Sequence, residues 1–329
     1  GMPISIALGL TVLTFLFFLT SVPIEAVALK LFTGIENFEI MAIPFFILAG
    51  NFLTHGGVAK RMFAKTTAGQ IKGIAEKFIA GTDANNALPK LAKLWKQGLA
   101  FSVDVLGEAC VSDREAVAYQ NKYMDLIANL PDQVAAWPAN ERLERDHLGV
   151  VPRTNVSIKI SSLYAPTDPI DPAGSLDGLA DALRPLLLKA KEKGVLVNFD
   201  MEQFALKDLT LDLFMRCCEE IDFHAGLAMQ AYLRSGDDDA ARIIEWSKRT
   251  GRQVTVRLVK GAYWDYETIH AEEMGWPVPV WSRKCDSDAC FERMAKQFIH
   301  AMPRTSGEGG PKLALGSHNA RPIGAAIAE

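Results

Sequence analysis

Six short apolar runs, at residues 100–106, 156–160, 195–199, 226–231, 254–259 and 313–315, are separated by amphipathic helical patterns, and this alternation constrains the fold more than any other feature. The helical patterns occupy 176–193, 208–220, 238–249 and 286–301. Repeated βα units imply a parallel sheet, either rolled into a barrel or doubly wound. No GxGxxG opens a helix and no glycine-lysine phosphate loop is present, which lowers the doubly wound option.

The ends of the apolar runs favour the barrel. In chain order they carry Asp104 and Glu108, Lys159, Asp200 and Glu202, Gln230, Arg257 and Lys260, and His318 with Asn319. An isolated buried charge is strongly disfavoured, so a charged tip on strand after strand is costly unless the tips share one polar site. The C-terminal mouth of a (βα)8 barrel is such a site. For any one of these residues taken alone, an exposed loop position or a structural ion pair is the plainer account. The series as a whole points to convergence. Its centre is 255–265, TVRLVKGAYWD, where Val254, Val256, Leu258 and Val259 accompany Arg257 and Lys260 before Gly261 breaks the run into Tyr263 and Trp264.

Composition excludes some functions and divides the chain. A formal net charge of -4 over 329 residues, with no basic cluster, argues against nucleic-acid binding. Cys110, Cys217, Cys218, Cys285 and Cys290 form no CxxC pair, which implies a reducing compartment and inert thiols. No HExxH is present and no histidine lies near Cys285 and Cys290, so no metal site is expected. The acidic run Asp237, Asp238 and Asp239 precedes a helical pattern and is explained by N-capping and the helix dipole. By contrast, 4–19 is almost wholly apolar, about enough to cross the ~30 Å hydrocarbon core of a bilayer. A second apolar run, 40–53, is broken by Pro44 and Gly50 and suits a broken or re-entrant membrane segment. The expected organisation is a hydrophobic transmembrane-type segment at 1–62, a helical lead-in at 63–100 and a partial barrel at 101–329.

The opening residues GMPISIALGL and the stretch AIPFFILAGNFLTHGG at 42–57 resemble the N-terminal part of the large membrane subunit of TRAP-type dicarboxylate transporters. About sixty residues are covered, too few helices to form a transport path, so a plain membrane anchor is the expectation there. From about Phe63 onward the motifs FIAGTDANNALPKL, FSVDVLGEA, SIKISSLYAP, VNFDMEQFALKDLTLDLF, GLAMQAYLRSGDDDA, VRLVKGAYWDYETIHAEEMGWPVPVWSRK and LGSHNAR follow one another. They resemble the proline dehydrogenase module of bacterial bifunctional proline-utilisation proteins.

That resemblance implies an α/β fold, an incomplete (βα)8 TIM-like barrel of about six βα units preceded by the apolar membrane-type helical segment. It implies FAD as cofactor and oxidation of L-proline to 1-pyrroline-5-carboxylate, with hydride passing from the carbon beside the proline nitrogen to flavin N5. Position by position, it implies that Asp200 and Arg257 are the active-site pair and that Lys159 and Tyr263 meet substrate. Met201, Gln230, Val259, Lys260, Gly261, Ala262, Trp264, Arg283, Lys284, Ser317, His318 and Asn319 fall on cofactor-contacting positions. A fixed cation such as Arg257 would favour the negative charge of a reduced flavin, and Lys159 would neutralise the substrate carboxylate. Asp200 would orient either that lysine or a substrate-side group. The resemblance further implies quinone as electron acceptor, attachment to a membrane through 1–62, and a place at the cytoplasmic face of a bacterial inner membrane.

The family's seventh and eighth strands, and the final helix with paired arginines that grip the substrate carboxylate, have no counterpart in these 329 residues. Impaired turnover is therefore expected, and the juxtaposition reads as a chimera of transporter and barrel fragments. Two alternatives remain: a membrane-tethered non-catalytic fragment, and a Schiff-base barrel enzyme using Lys159 or Lys260.

Overall fold

A computed structural model describes residues 10–15, 18, 79–107 and 109–329. The chain divides into two compact units, Gly1–Ile79 and Ala80–Glu329. In the first, 10–15 and 18 are helical. A bilayer span needs ~20 consecutive apolar helical residues. Among the described residues no helix is long and apolar enough to cross a membrane. This overturns the membrane-type helical segment expected at 1–62 with the anchor and inner-membrane location expected through it, and it leaves no spanning helix among the described residues to support the quinone partner that the resemblance implied. The second apolar run, 40–53, lies outside the described residues.

The second unit is built on a six-stranded sheet whose strands are all parallel, in the order β1, β4, β5, β6, β7, β8. These strands are β1 (Val103–Asp104), β4 (Asn155–Ile158), β5 (Leu196–Phe199), β6 (His224–Gln230), β7 (Gln253–Val259) and β8 (Gly310–Gly316). Each of the six apolar runs yields one strand, in sequence order. Such an arrangement is a partial (βα) barrel, with β1 and β8 at its two edges.

Around it lie α1 (Ala84–Lys96), α2 (Asp113–Ala135), the single turn α3 (Glu141–Glu144), α4 (Pro172–Lys193), α5 (Lys207–Glu220), α6 (Gly236–Thr250), α7 (Trp264–Met274), α8 (Lys284–Ala301) and α9 (Ala320–Ala328). Their ends follow local chemistry. Asp83 caps α1 by accepting from the Asn86 N–H at 3.0 Å. Pro172 begins α4 and Gly194, at φ 64°, ends it in the left-handed conformation that a side chain would strain. Helix α2 is not anticipated from the sequence. Its buried face, Tyr123, Ile127, Leu130 and Val134, has spacings of four, three and four, but Pro131 interrupts the pattern.

The sheet sorts its residues by alternation. On β7, Val254, Val256 and Leu258 are buried against the helices, whereas Thr255, Arg257 and Val259 take the other face. The outer face packs an aromatic core in which the Phe199 and Phe214 rings are 5.4 Å apart and Phe214 meets Trp246 at 5.8 Å. The inner face is polar. Register aligns Ser157, Asn198, Gly226 and Thr255 in one row. Arg257 therefore sits two residues before the end of β7, inside the curved sheet, rather than at its tip.

An antiparallel ribbon, β2 (Arg145–Asp146) with β3 (Gly149–Val150), spans from the segment preceding β4 to the far edge. Asp146 pairs with Lys312 of β8 at 2.9 Å, and the His147 ring bonds the Pro303 carbonyl at 3.0 Å. These contacts hold the two ends of the arc in relation to each other.

Candidate active site

The inner-face residues open onto a cavity of about 600 Å³ at the C-terminal ends of the strands. All six strands deliver polar groups to it, Asp104 ending β1 and Ser317, His318 and Asn319 following β8. Lys159 follows β4, Asp200 follows β5, Gln230 ends β6 and Arg257 lies on β7. Asp200 forms an ion pair with Arg257, and Lys159 stands 3.7 Å from its second carboxylate oxygen. Lys159 also bonds Asp104, at the end of β1, at 2.6 Å. The result is a chain of alternating charge, Asp104, Lys159, Asp200, Arg257, running across the sheet. Burial pushes the Asp200 carboxyl above the usual range; Arg257 opposes that rise, Asp104 adds to it, and Lys159 opposes it in turn.

Gln230 is anchored by its amide nitrogen, which donates to the Met201 and Glu202 carbonyls at 3.3 Å each. Its buried carboxamide oxygen has no hydrogen-bond partner. Such an orphan acceptor is costly, about 1–3 kcal/mol, unless something in the cavity donates to it.

Just past the end of β7, Lys260 shares Asp288 with Lys284, the second contact at 2.9 Å. Hydrogen bonding from Lys260 holds the Asp288 carboxyl below its ordinary value. Gly261 has φ 133°, and a Cβ there would fall 2.3 Å from the Tyr232 ring. The backbone and Tyr232 thus both demand glycine at this position.

Of the residues expected from sequence, Lys159, Asp200, Met201, Gln230, Arg257, Val259, Lys260, Gly261, Ala262, Tyr263, Lys284, Ser317, His318 and Asn319 all line this cavity. Two do not. Trp264 is 40% exposed and donates from its indole to the Trp281 carbonyl at 2.8 Å, and Arg283 is exposed and paired with Asp286. Glu202 turns instead toward Ser161, accepting from its backbone N–H at 3.1 Å in a second, smaller cavity. Glu108 lies outside the described residues.

Sequence reasoning left Ala228, Gly316 and Asp288 unassigned. The first two line the cavity and carry no chemical signal; only their inner-face register, two residues before Gln230 and next to Ser317, would have found them. Asp288 was findable as the partner of Lys284 one helical turn away. The acidic run lies in the first turn of α6, where Asp239 meets Lys207 at 2.8 Å and Asp237 meets Arg293 at 2.7 Å.

The two parts of the chain are similar to different families. Residues 1–82 match the family described as tripartite ATP-independent periplasmic transporter, DctM component. The C4-dicarboxylate TRAP transporter large permease protein DctM of Rhodobacter capsulatus is 84% identical over 68 residues, 21% of this chain and 16% of the permease. The bifunctional protein PutA of Klebsiella aerogenes is 29% identical over 231 residues, covering 69% of this chain and 17% of that protein. Among solved structures, proline utilization A from Bdellovibrio bacteriovorus, inactivated by N-propargylglycine, superposes with a TM-score of 0.76 at 40% identity, covering 81% of this chain and 28% of that one. The chain thus spans less than a third of each of these proteins. The proline dehydrogenase family model matches residues 87–329, which include every residue of the cavity, and the chain belongs to that family.

Proposed function

We propose that the cavity binds FAD and that the chain contributes its residues to the oxidation of L-proline to 1-pyrroline-5-carboxylate. The observation that carries this reading is the meeting of Lys159, Asp200, Gln230 and Arg257, from successive strands, in one cavity of about 600 Å³ within a chain of the proline dehydrogenase family. Ligand sites of this size, partly apolar with a few convergent polar groups, are the ordinary form of cofactor pockets.

The lining fits an isoalloxazine ring. Met201, Ala228 and Val259 offer apolar contact, and the unpartnered Gln230 oxygen offers an acceptor for a ring N–H. Gln230, Met201, Val259, Lys260, Gly261, Ala262, Ser317, His318 and Asn319 would hold the cofactor, with Lys284 at its rim. A bound flavin supplies the two-electron acceptor. Arg257 places a fixed positive charge where negative charge develops on reduction, and such preorganised charge is worth about 10²–10³ in rate. Lys159 neutralises a substrate carboxylate, with Tyr263 beside it. Asp200 holds both cations in place through its two oxygens. Lys159 and Lys260 are each committed to an ion pair, with Asp104 and with Asp288.

The test is anaerobic addition of L-proline to the full chain reconstituted with FAD. Slow bleaching of the visible flavin band by L-proline and not by D-proline is the expected result, in keeping with impaired turnover. A chain that binds FAD and shows no bleaching would overturn the assignment of substrate.

A further inference from the structure

Beneath the cavity floor lie two polar side chains that do not line it. Ser157 on β4 is 1% exposed and Asn198 on β5 is 2% exposed, and the two are register partners. Buried polar groups inside a sheet are retained against a desolvation cost of roughly 1–3 kcal/mol each, so what they bond is informative. The Asn198 amide donates to Asp200 Oδ1 at 2.8 Å, the same oxygen that receives Arg257. It also reaches the Ser157 hydroxyl at 3.4 Å. That hydroxyl accepts from the other terminal nitrogen of Arg257 at 3.3 Å and lies 3.2 Å from the Ser102 hydroxyl.

Both members of the ion pair are therefore tied from below by one small network. A neighbouring glycine makes room for it: a Cβ at Gly226 would stand 3.0 Å from the Asn198 side-chain oxygen.

We propose that Asn198 and Ser157 are positioning residues that hold the Asp200 carboxyl group and fix Arg257 in its orientation toward the cavity. The geometry stands by itself, while its importance for turnover rests on the proposed function above. An amide N–H on a carboxylate favours the charged form, opposing the burial of Asp200. The charged groups facing Asp200 are Arg257 from β7, Lys159 from the end of β4 and Asp104 from the end of β1. None of them can supply the lateral contact that Asn198 makes. A serine hydroxyl between the amide and the guanidinium passes the constraint from β5 to β7.

The experiment is a carboxyl ¹³C NMR titration of the full chain labelled at aspartate, with the Asp200 signal assigned by its loss in Asp200→Asn. In Asn198→Ala the Asp200 midpoint is expected to rise by about one pH unit, the value of one hydrogen bond of ~1.4 kcal/mol. Ser157→Ala removes a single oxygen, and a smaller rise in the same direction is expected there. This second variant decides the matter if Asn198→Ala does not fold. Midpoints within about 0.2 pH unit of the unaltered chain in folded variants would reduce both residues to packing and overturn the proposal. The titration needs no cofactor, so failure of the unaltered chain to bind FAD would count against the proposed function and leave this result readable.

Discussion

Arg257 and Asp200 meet across an intervening strand. Asp200 follows β5 and Arg257 lies on β7, and between them β6 presents Ala228, the register partner of Arg257. A methyl group at that level is short enough for the two side chains to close over it. The ion pair thus depends on a residue with no chemistry of its own.

Ala228→Leu should separate the pair. The larger side chain would occupy the space above β6, costing about 1–3 kcal/mol by overpacking. Thermal unfolding measures the loss, and Arg257→Met in the same background should then cost little more. Independent, additive losses would show that the pair does not span Ala228.

A second test concerns the ion pair that ties α5 to α6. Lys207 and Asp239 are both buried and 2.8 Å apart, and Ser235 also donates to Asp239 at 2.7 Å. Asp239→Ala should destabilise by about 3 kcal/mol, because it leaves a buried ammonium with only the exposed Asp208. Lys207→Met combined with Asp239→Leu should recover most of that loss. A double-mutant cycle on thermal stability checks the coupling, and a double variant as unstable as the sum of the singles would refute it.

Glu267 predicts a pH dependence. The residue is 5% exposed, and its carboxyl accepts from the Phe204 N–H at 2.6 Å and is pushed above its ordinary value by burial. A native state that holds this proton more tightly than the unfolded chain gains stability below the unfolded value near 4.5 and loses it as pH rises through the native one. Glu267→Gln keeps an acceptor for Phe204 and removes the charge. The variant should match the unaltered chain near pH 4 and exceed it at pH 8, by about 1 kcal/mol, in thermal melts. A stability difference that is flat with pH would contradict this.

Gly261→Ala should be harmful for two reasons that separate experimentally. The φ of 133° strains any L residue, and the new methyl would strike the Tyr232 ring. A loss of roughly 2 kcal/mol is expected from strain and clash together. Tyr232→Ala in the same background should relieve only the clash, so partial recovery in thermal stability is the expected outcome and full recovery would exclude backbone strain.

The fold was legible where alternation was strong. The six strands follow from runs such as 254–259, where burial alternates with the inner polar face. The candidate cavity was legible because charge inside a sheet is expensive, which marked Lys159, Asp200 and Arg257 as residues that share one polar space. What escaped were residues whose role comes from neighbours across the sheet. Ala228, Asn198 and Ser157 carry no signal along the chain and acquire meaning only from register. Trp264 and Arg283, expected at cofactor positions from the resemblance, do not line the cavity although their sequence neighbours Tyr263 and Lys284 do. The apolar N-terminal run misled through length alone, since hydropathy over 4–19 does not make a spanning helix among the described residues.

The central claim is that the inner-face residues form one flavin-binding cavity, and FAD titration of the full chain followed by its visible spectrum tests it most directly. Saturable binding of one FAD per chain is expected, with affinity lowered roughly tenfold by Gln230→Leu, which deletes the unpartnered acceptor. No saturable spectral change, or equal affinity in the Gln230→Leu variant, would contradict it.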